Sequence, residues 1–404
     1  MFFSAVWIAL GVGLMSLMIV LFTASMLLVF ALIMYGFNVA LAIGLALLTY
    51  SLPTFGPGIT TVVIESLNPS LLNTLVSLIL AMFLAELIRA TGVGFRIVES
   101  LEALNPRIAA ITTPSLIGLL PMPAGAYVSA TLVDPLYARF NLGSADKTFL
   151  NYWFRHIWVT VWPLYQSVIL ASAILDLSFS EIINYTWPIF IGSIIGGLIE
   201  SRPLLKAMLV DEKHSGSYKG LLDLWPFIAI ALMTIALNIP LPLSLAVVAM
   251  FFIAIYRPSR EVLIQAWRYS LNTTVIALII ESMVFSEAIK QSGLASQLLS
   301  YLHVYADIAV FTIPFVMVVA TGFEFTFVVL AFPAILPMLR GYRITLAFLG
   351  GFTGAMLSPS HACLVLSAKY FKSNLGEVYV KHLLRATVLT AIIIVAETIA
   401  TSMI

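Results

Sequence analysis

One cysteine, Cys363, occurs in 404 residues. No internal disulfide can form, and a Cys-based metal cluster is excluded. Charge is nearly as scarce. Asp, Glu, Lys and Arg make up 10% of the chain, where soluble domains carry about 25%. The formal net charge is +1, so no basic face suggests nucleic acid. Catalytic signatures are missing too: there is no HExxH, no Gly-x-Ser-x-Gly and no Gly-x-Gly-Asp. A membrane-embedded enzyme is therefore the weaker reading, and no catalytic residue or metal site is expected. Without a P-loop, ATP does not drive the chain directly. No polar n-region precedes the first apolar run, so a cleaved signal peptide is not expected.

What fills the sequence is apolar. Hydrophobic residues make up 61% and the mean hydropathy is +1.06. The lipid bilayer is the natural partner of such a chain. Apolar runs between charged or Pro-rich breaks predict an all-α polytopic membrane protein with about ten transmembrane helices. The first run, Ser4–Tyr35, is long enough to hide a short extra helix. Gly94–Leu104 and Arg257–Tyr269 mix charge with apolar residues and read as interfacial helices.

The stretch 111–136, ITTPSLIGLLPMPAGAYVSATLVDPL, does not fit a plain span. Pro121, Pro123 and Gly125 interrupt it. The arm before the break has about 14 residues, roughly 21 Å of helix. That is too short for a hydrocarbon core of about 30 Å. Two short arms around a Pro/Gly tip predict a re-entrant hairpin over 107–140. Backbone broken at that depth survives only against protein or a water-filled cavity.

The two halves resemble each other. Leu72-Asn73-Thr74 returns as Leu271-Asn272-Thr273, an offset of 199. AELIRATG, ending at Gly92, returns as SEAIKQSG, ending at Gly293, an offset of 201. Thr112-x-Pro114 returns as Thr312-x-Pro314, an offset of 200. Three matches in one order predict an internal duplication. The duplication places a second hairpin at 306–340, broken at Thr321-Gly322. It also pairs two long spans, Thr148–Leu175 with Trp162-Pro163 at its centre and Thr345–Phe371 with Ser358-Pro359-Ser360. Ordinary Pro kinks are the alternative.

Each repeat, 1–200 and 222–404, then has five spans. An odd number makes the repeats inverted, joined by the hydrophilic linker 201–221. With both termini outside, 17 of the 20 basic residues fall inside, and only Lys290, Arg340 and Arg343 fall outside. The positive-inside rule favours that orientation. It opens the first hairpin to the cytoplasm and the second to the exterior. Inverted repeats with broken helices are the architecture of secondary transporters.

Several runs carry a resemblance. They are Pro121-Met122-Pro123-Ala124-Gly125-Ala126, Asn151-Tyr152-Trp153-Phe154-Arg155-His156-Ile157-Trp158, Trp162-Pro163-Leu164-Tyr165 and the ten residues from Leu357 to Leu366. Together they resemble an uncharacterised prokaryotic membrane family, domain-of-unknown-function family 401, over about residues 30 to 400. The Asn-Tyr-Trp-Phe-Arg-His run is the most specific part. The resemblance implies the ion transporter superfamily, with its citrate, dicarboxylate, gluconate and arsenite carriers. It further implies an elevator-type motion and a homodimer. Ala124 stands where a second Gly is expected.

Broken helices expose unpaired N–H groups that attract anions. The expected substrate site therefore gathers Pro121, Pro123, Ala124, Gly125, Trp162, Pro163, Thr321, Gly322, Ser358, Pro359 and Ser360. Gly125 either admits a ligand to the backbone or only permits tight packing. Ser358 and Ser360 either bind substrate oxygens or cap the following helix. Glu324, His361 and Glu281 are the candidate ion-coupling residues. Glu324 could instead face external water, and His361 could be structural. Glu86 with Arg89, and Glu287 with Lys290, read as helical ion pairs. Asp134 reads as a cap that closes the first hairpin. Arg155-His156 reads as an interfacial anchor. Arg is missing from both hairpin tips. These residues predict a symporter or antiporter in the cell membrane, moving a small anion with H⁺ or Na⁺. A channel, or a carrier of an ion or neutral metabolite, is the alternative. No cofactor beyond the coupling ion is expected.

The orientation is directly testable. A cysteine placed at Ser217, in a Cys363→Ser background, is expected to react with impermeant maleimide only after the cytoplasmic side is exposed. Labelling of that position on intact cells would reverse the assignment.

Overall fold

The computed structural model describes residues 2–121, 125–208 and 217–402. Among them every regular element is a helix. The chain opens with α1 (Phe2–Met34), α2 (Val39–Phe55), α3 (Ile59–Ser66) and α4 (Pro69–Ala90). The first apolar run is thus one helix. Asn68 starts α4 by accepting from the backbone N–H of Leu71 at 3.1 Å, with Pro69 in the first turn where its missing N–H costs nothing. An amphipathic α5 (Val93–Leu104) leads to the interrupted pair α6 (Pro106–Gly118) and α7 (Gly125–Arg139). Next come α8 (Ser144–His156), α9 (Gln166–Leu175) and α10 (Phe179–Ala207).

The remaining chain adds α11 (Trp225–Ala231), α12 (Leu241–Tyr256), the amphipathic α13 (Arg260–Ser270), α14 (Thr273–Ser292) and α15 (Leu294–Leu302). A second interrupted pair follows. Its first arm is α16 (Ala306–Thr321), and its return arm runs through a π turn, α17 (Phe332–Ile335) and a 3-10 turn. The chain ends with α18 (Tyr342–Leu357), α19 (Ala362–Phe371), α20 (Leu375–Val378) and α21 (Leu384–Ser402).

Nine helical stretches among the described residues are long and apolar enough to cross a membrane. The chain is a multi-pass membrane protein. Two of the ten expected spans fall outside this set. Thr148–Leu175 is split between α8 and α9, and α12 has only 16 residues. In their place Leu294–Thr321 qualifies, because α15 runs through a short turn into α16.

Both interrupted pairs fold back on themselves. The hydroxyl of Tyr137, near the end of α7, donates to Ala110 O, near the start of α6, at 2.7 Å. In the second pair, Tyr342 and Arg343 follow the return arm and donate to Asp307 in the first turn of α16, at 2.8 and 2.7 Å. The order of elements from α4 to α10 also recurs from α14 onward. Gly92 and Gly293, with φ 69° and 74°, each turn the chain into a short amphipathic helix. Pro114 and Pro314 each stand ninth in their arms. Asp176 and Lys372, with φ 55° and 54°, each end a ten-residue helix. The Leu-Asn-Thr match does not occupy equivalent places. Leu72–Thr74 lies inside α4, whereas Asn272 caps α14.

Small residues set the closest helix contacts, as expected where lipid removes the hydrophobic drive between helices. Gly350 and Gly354 of α18 face the backbone of α16. A Cβ on Gly350 would strike the carbonyl of Phe311, and one on Gly354 would stand 2.7 Å from the carbonyl of Phe315. Gly192 and Gly196 play the same part between α10 and α21, where a Cβ on Gly196 would come within 3.1 Å of Ala386 O. Neither backbone can yield to a side chain. Gly350→Ala is therefore expected to lower stability by about 1–3 kcal/mol through overpacking. Thermal unfolding in detergent measures it. Gly94→Ala, within α5 where a Cβ would have nothing within 4 Å, is the control and should leave the midpoint unlowered or slightly raise it.

Candidate functional site

Four interruptions meet at one cavity of about 430 Å³. The tip after α6 contributes Gly118, Leu120 and Pro121. The break between α8 and α9 contributes Arg155, His156, Leu164, Tyr165 and Gln166. The tip after α16 gives Gly322, Phe323, Glu324 and Phe325, and the break before α19 gives His361, Ala362 and Cys363. Met82 of α4 and Asn272, Val275 and Leu278 of the α14 region close the wall. Two helix N-termini, those of α9 and α19, open on this space, each a helix of ten residues. Their first N–H groups have no partner within the helix and carry partial positive charge.

The breaks hold each other in place. The last carbonyls of α6 lack intrahelical donors, and three side chains from the α8–α9 break supply them. Trp158 Nε1 donates to Ser115 O at 3.0 Å and to its hydroxyl at 2.8 Å. Arg155 Nη1 donates to Ile117 O at 3.2 Å, and Trp162 Nε1 to Leu119 O at 2.9 Å. Gly118 leaves the room this needs, since a Cβ there would run into the carbonyl of Arg155. The second tip is fixed to the other break. Ser358 Oγ donates to Val319 O at 3.2 Å, and Ser360 Oγ reaches the same carbonyl at 3.4 Å. Thr321 and Thr326 share a hydrogen bond of 2.6 Å across the tip.

The Asn151–His156 run ties these parts together. Asn151 accepts from Ser129 of α7 at 2.6 Å and donates to Ser367 of α19 at 2.9 Å. Tyr152 donates to Ala355 O at 2.6 Å, and Trp153 Nε1 donates to Ser193 O at 2.9 Å. His156 Nδ1 lies 2.6 Å from Tyr152 O. A carbonyl can only accept, so Nδ1 carries a proton, and in the neutral ring Nε2 presents a lone pair. Across from it stands His361, with 3.2 Å between the two Nε2 atoms.

Arg155 is the residue that the sequence reading placed elsewhere. Instead of anchoring at an interface, it is 6% exposed and faces the cavity. Its Nε–H has no hydrogen-bond partner, and among the described residues no carboxylate lies within ion-pair distance of it. Lys and Arg near the end of an apolar run ordinarily snorkel to water. The signal that could have identified it is its place in the Asn-Tyr-Trp-Phe-Arg-His run.

The other expected site residues divide. Pro121, Gly322, Glu324 and His361 line the cavity. Trp162, Thr321, Ser358 and Ser360 hold the tips and do not line it. Pro163 and Gly125 are buried and do not line it, and Pro359 is exposed. Pro123 and Ala124 lie outside the described residues. Glu281 is not in the cavity wall; it faces α2, where a Cβ on Gly44 would come within 2.9 Å of its carboxylate. Glu86 pairs with Arg89 and accepts from Gln265 at 2.8 Å, and Glu287 pairs with Lys290 at 3.6 Å. Asp134 binds Lys147 at 2.9 Å.

No curated protein matches the sequence. A family model does match, over residues 14–400, and so takes in both interrupted pairs, both broken helices and the Asn151–His156 run that joins them. The chain therefore belongs to the family described as Protein of unknown function (DUF401).

Proposed function

We propose that the protein is a secondary active transporter of a small organic or inorganic anion, driven by an H⁺ or Na⁺ gradient. One observation carries the reading: the buried guanidinium of Arg155 faces the cavity, and among the described residues no carboxylate lies within ion-pair distance of it. A charge inside a membrane protein is costly unless something pairs with it. An anionic ligand is the partner that the cavity can admit. The N-termini of α9 and α19 add positive field at the same place, at no desolvation cost of their own. A volume of about 430 Å³ suits a small organic acid or oxyanion rather than a polymer.

The interrupted pairs and the recurring order of elements support an inverted repeat. In such a fold the hairpins and broken helices would move together in an elevator-type step. Membership of the ion transporter superfamily, a homodimer, a place in the cell membrane and termini on its outer side belong to the same proposal. A channel would need a continuous aqueous path. The mutual hydrogen bonding of tips and breaks favours two discrete closed states instead.

A thermal-shift screen of purified protein against small acids and neutral metabolites, with and without Na⁺, tests the substrate class. Anions are expected to raise the midpoint. Arg155→Gln keeps a donor for Ile117 O and removes the charge. It should weaken anion binding roughly 10- to 100-fold, the worth of one or two charged hydrogen bonds. In proteoliposomes flux of that anion should saturate and should cease when the ion gradient is dissipated. Stabilisation by neutral compounds alone, or equal anion binding by Arg155→Gln, would contradict the reading.

A further inference from the structure

We propose that His156, His361 and Cys363, completed by Glu324, form a binding site for a divalent transition-metal ion of the zinc class. The inference does not depend on the transport reading. The ligand atoms of His156, His361 and Cys363 all lie within 4.8 Å of one another. Glu324 Oε2 stands 3.8 Å from His361 Nε2. All four residues face the same cavity, so an ion can reach them.

The imidazoles are arranged as metal ligands are. His156 donates its Nδ1 proton to Tyr152 O at 2.6 Å, which fixes the ring and aims the Nε2 lone pair at His361. A hydrogen bond of this kind, from the ring nitrogen that does not coordinate to a carbonyl acceptor, is the usual support of a metal-bound histidine. Two imidazole nitrogens at about 2.0–2.1 Å from a tetrahedral zinc ion stand about 3.3 Å apart. Here they stand 3.2 Å apart. A thiolate at about 2.3 Å from the same ion lies about 3.6 Å from each nitrogen. The 4.8 Å limit means that Cys363 has at most about 1.2 Å to close. One cysteine cannot build a cysteine cluster, but it can complete a mixed nitrogen and sulfur site, which suits zinc.

His361 can meet the His156 lone pair as a neutral Nε2–H donor, or the two Nε2 atoms can share a metal ion. Cys363 and Glu324 favour the metal. A hydrogen bond between two imidazoles uses neither, whereas a dication uses both. On binding, the thiol gives up its proton to water. Thiolate and carboxylate then balance the two charges of the ion. Arg155 keeps its charge and stays available to an anion in the same cavity.

Cobalt titration of the metal-depleted, tag-free full-length protein tests the site. Co²⁺ in a tetrahedral site absorbs strongly in the visible, and a sulfur ligand adds a charge-transfer band in the near ultraviolet. Cys363 is the only cysteine, so that band can arise from no other residue. One Co²⁺ per chain with both features is expected, and Zn²⁺ should bleach them. Cys363→Ser should abolish the charge-transfer band and weaken binding by at least about tenfold. Glu324→Gln should keep the band and weaken binding. Wild-type protein that takes up no Co²⁺, or takes it up without the charge-transfer band, would overturn the proposal. So would an unchanged titration of Cys363→Ser that elutes and melts like the wild type.

Discussion

Backbone polar groups at a helix interruption must find partners where little water is present, and this constraint organises the whole cavity. In lipid an unsatisfied N–H or C=O costs several kcal/mol. The chain interrupts four helices in its apolar interior and answers each interruption with another. Trp158, Trp162 and Arg155 of one break take the carbonyls at the end of α6. Ser358 and Ser360 of the other take the carbonyl of Val319 near the end of α16. Ser167 donates to Val159 O at 2.7 Å within the first break. Most of these hydrogen bonds run from one interruption to another, which favours their convergence.

Convergence has an electrostatic result. The carbonyl end of α6 is matched by Arg155, a cation that remains buried beside the cavity. The N-termini of α9 and α19 point into the same space. The group that satisfies the backbone therefore also presents a guanidinium to the cavity, with no ion-pair partner among the described residues. Under the proposed function, a structural necessity and an anion site share one guanidinium. Close to it, His156, His361, Cys363 and Glu324 supply lone pairs and negative charge. The cavity thus holds a cation and electron-pair donors side by side, although most of the chain around it is apolar.

Much of this was legible in the sequence because Pro and Gly act locally. Pro121 and Gly322 marked the two tips, and Trp162-Pro163 and Ser358-Pro359-Ser360 marked the two broken helices, since Pro and Gly weaken a helix locally, although Pro114 and Pro314 stand inside unbroken arms. Side-chain assignment was less legible, because it depends on which break faces which. Ser358 and Ser360 carry hydroxyls at the right depth, but the neighbouring carbonyl of Val319 claims them. Arg155 and His156 stand near the end of an apolar run, where snorkelling is the ordinary outcome. Only the fold-back of α6 shows the carbonyls that draw Arg155 inward. Glu281 was the weaker of the coupling candidates, and its face of α14 meets Gly44 and not the cavity.

The central claim is that this cavity is the place where the substrate waits and that it opens to each side in turn. Cys363 lies in its wall and is the only cysteine of the chain, so the native protein carries its own reporter. Hydrophilic, impermeant thiol reagents can be applied to right-side-out and inside-out vesicles, with and without the anion that stabilises the purified protein. The account predicts modification of Cys363 from both sides, slowed from both by the anion. Modification from one side only, at a rate that the anion leaves unchanged, would contradict it.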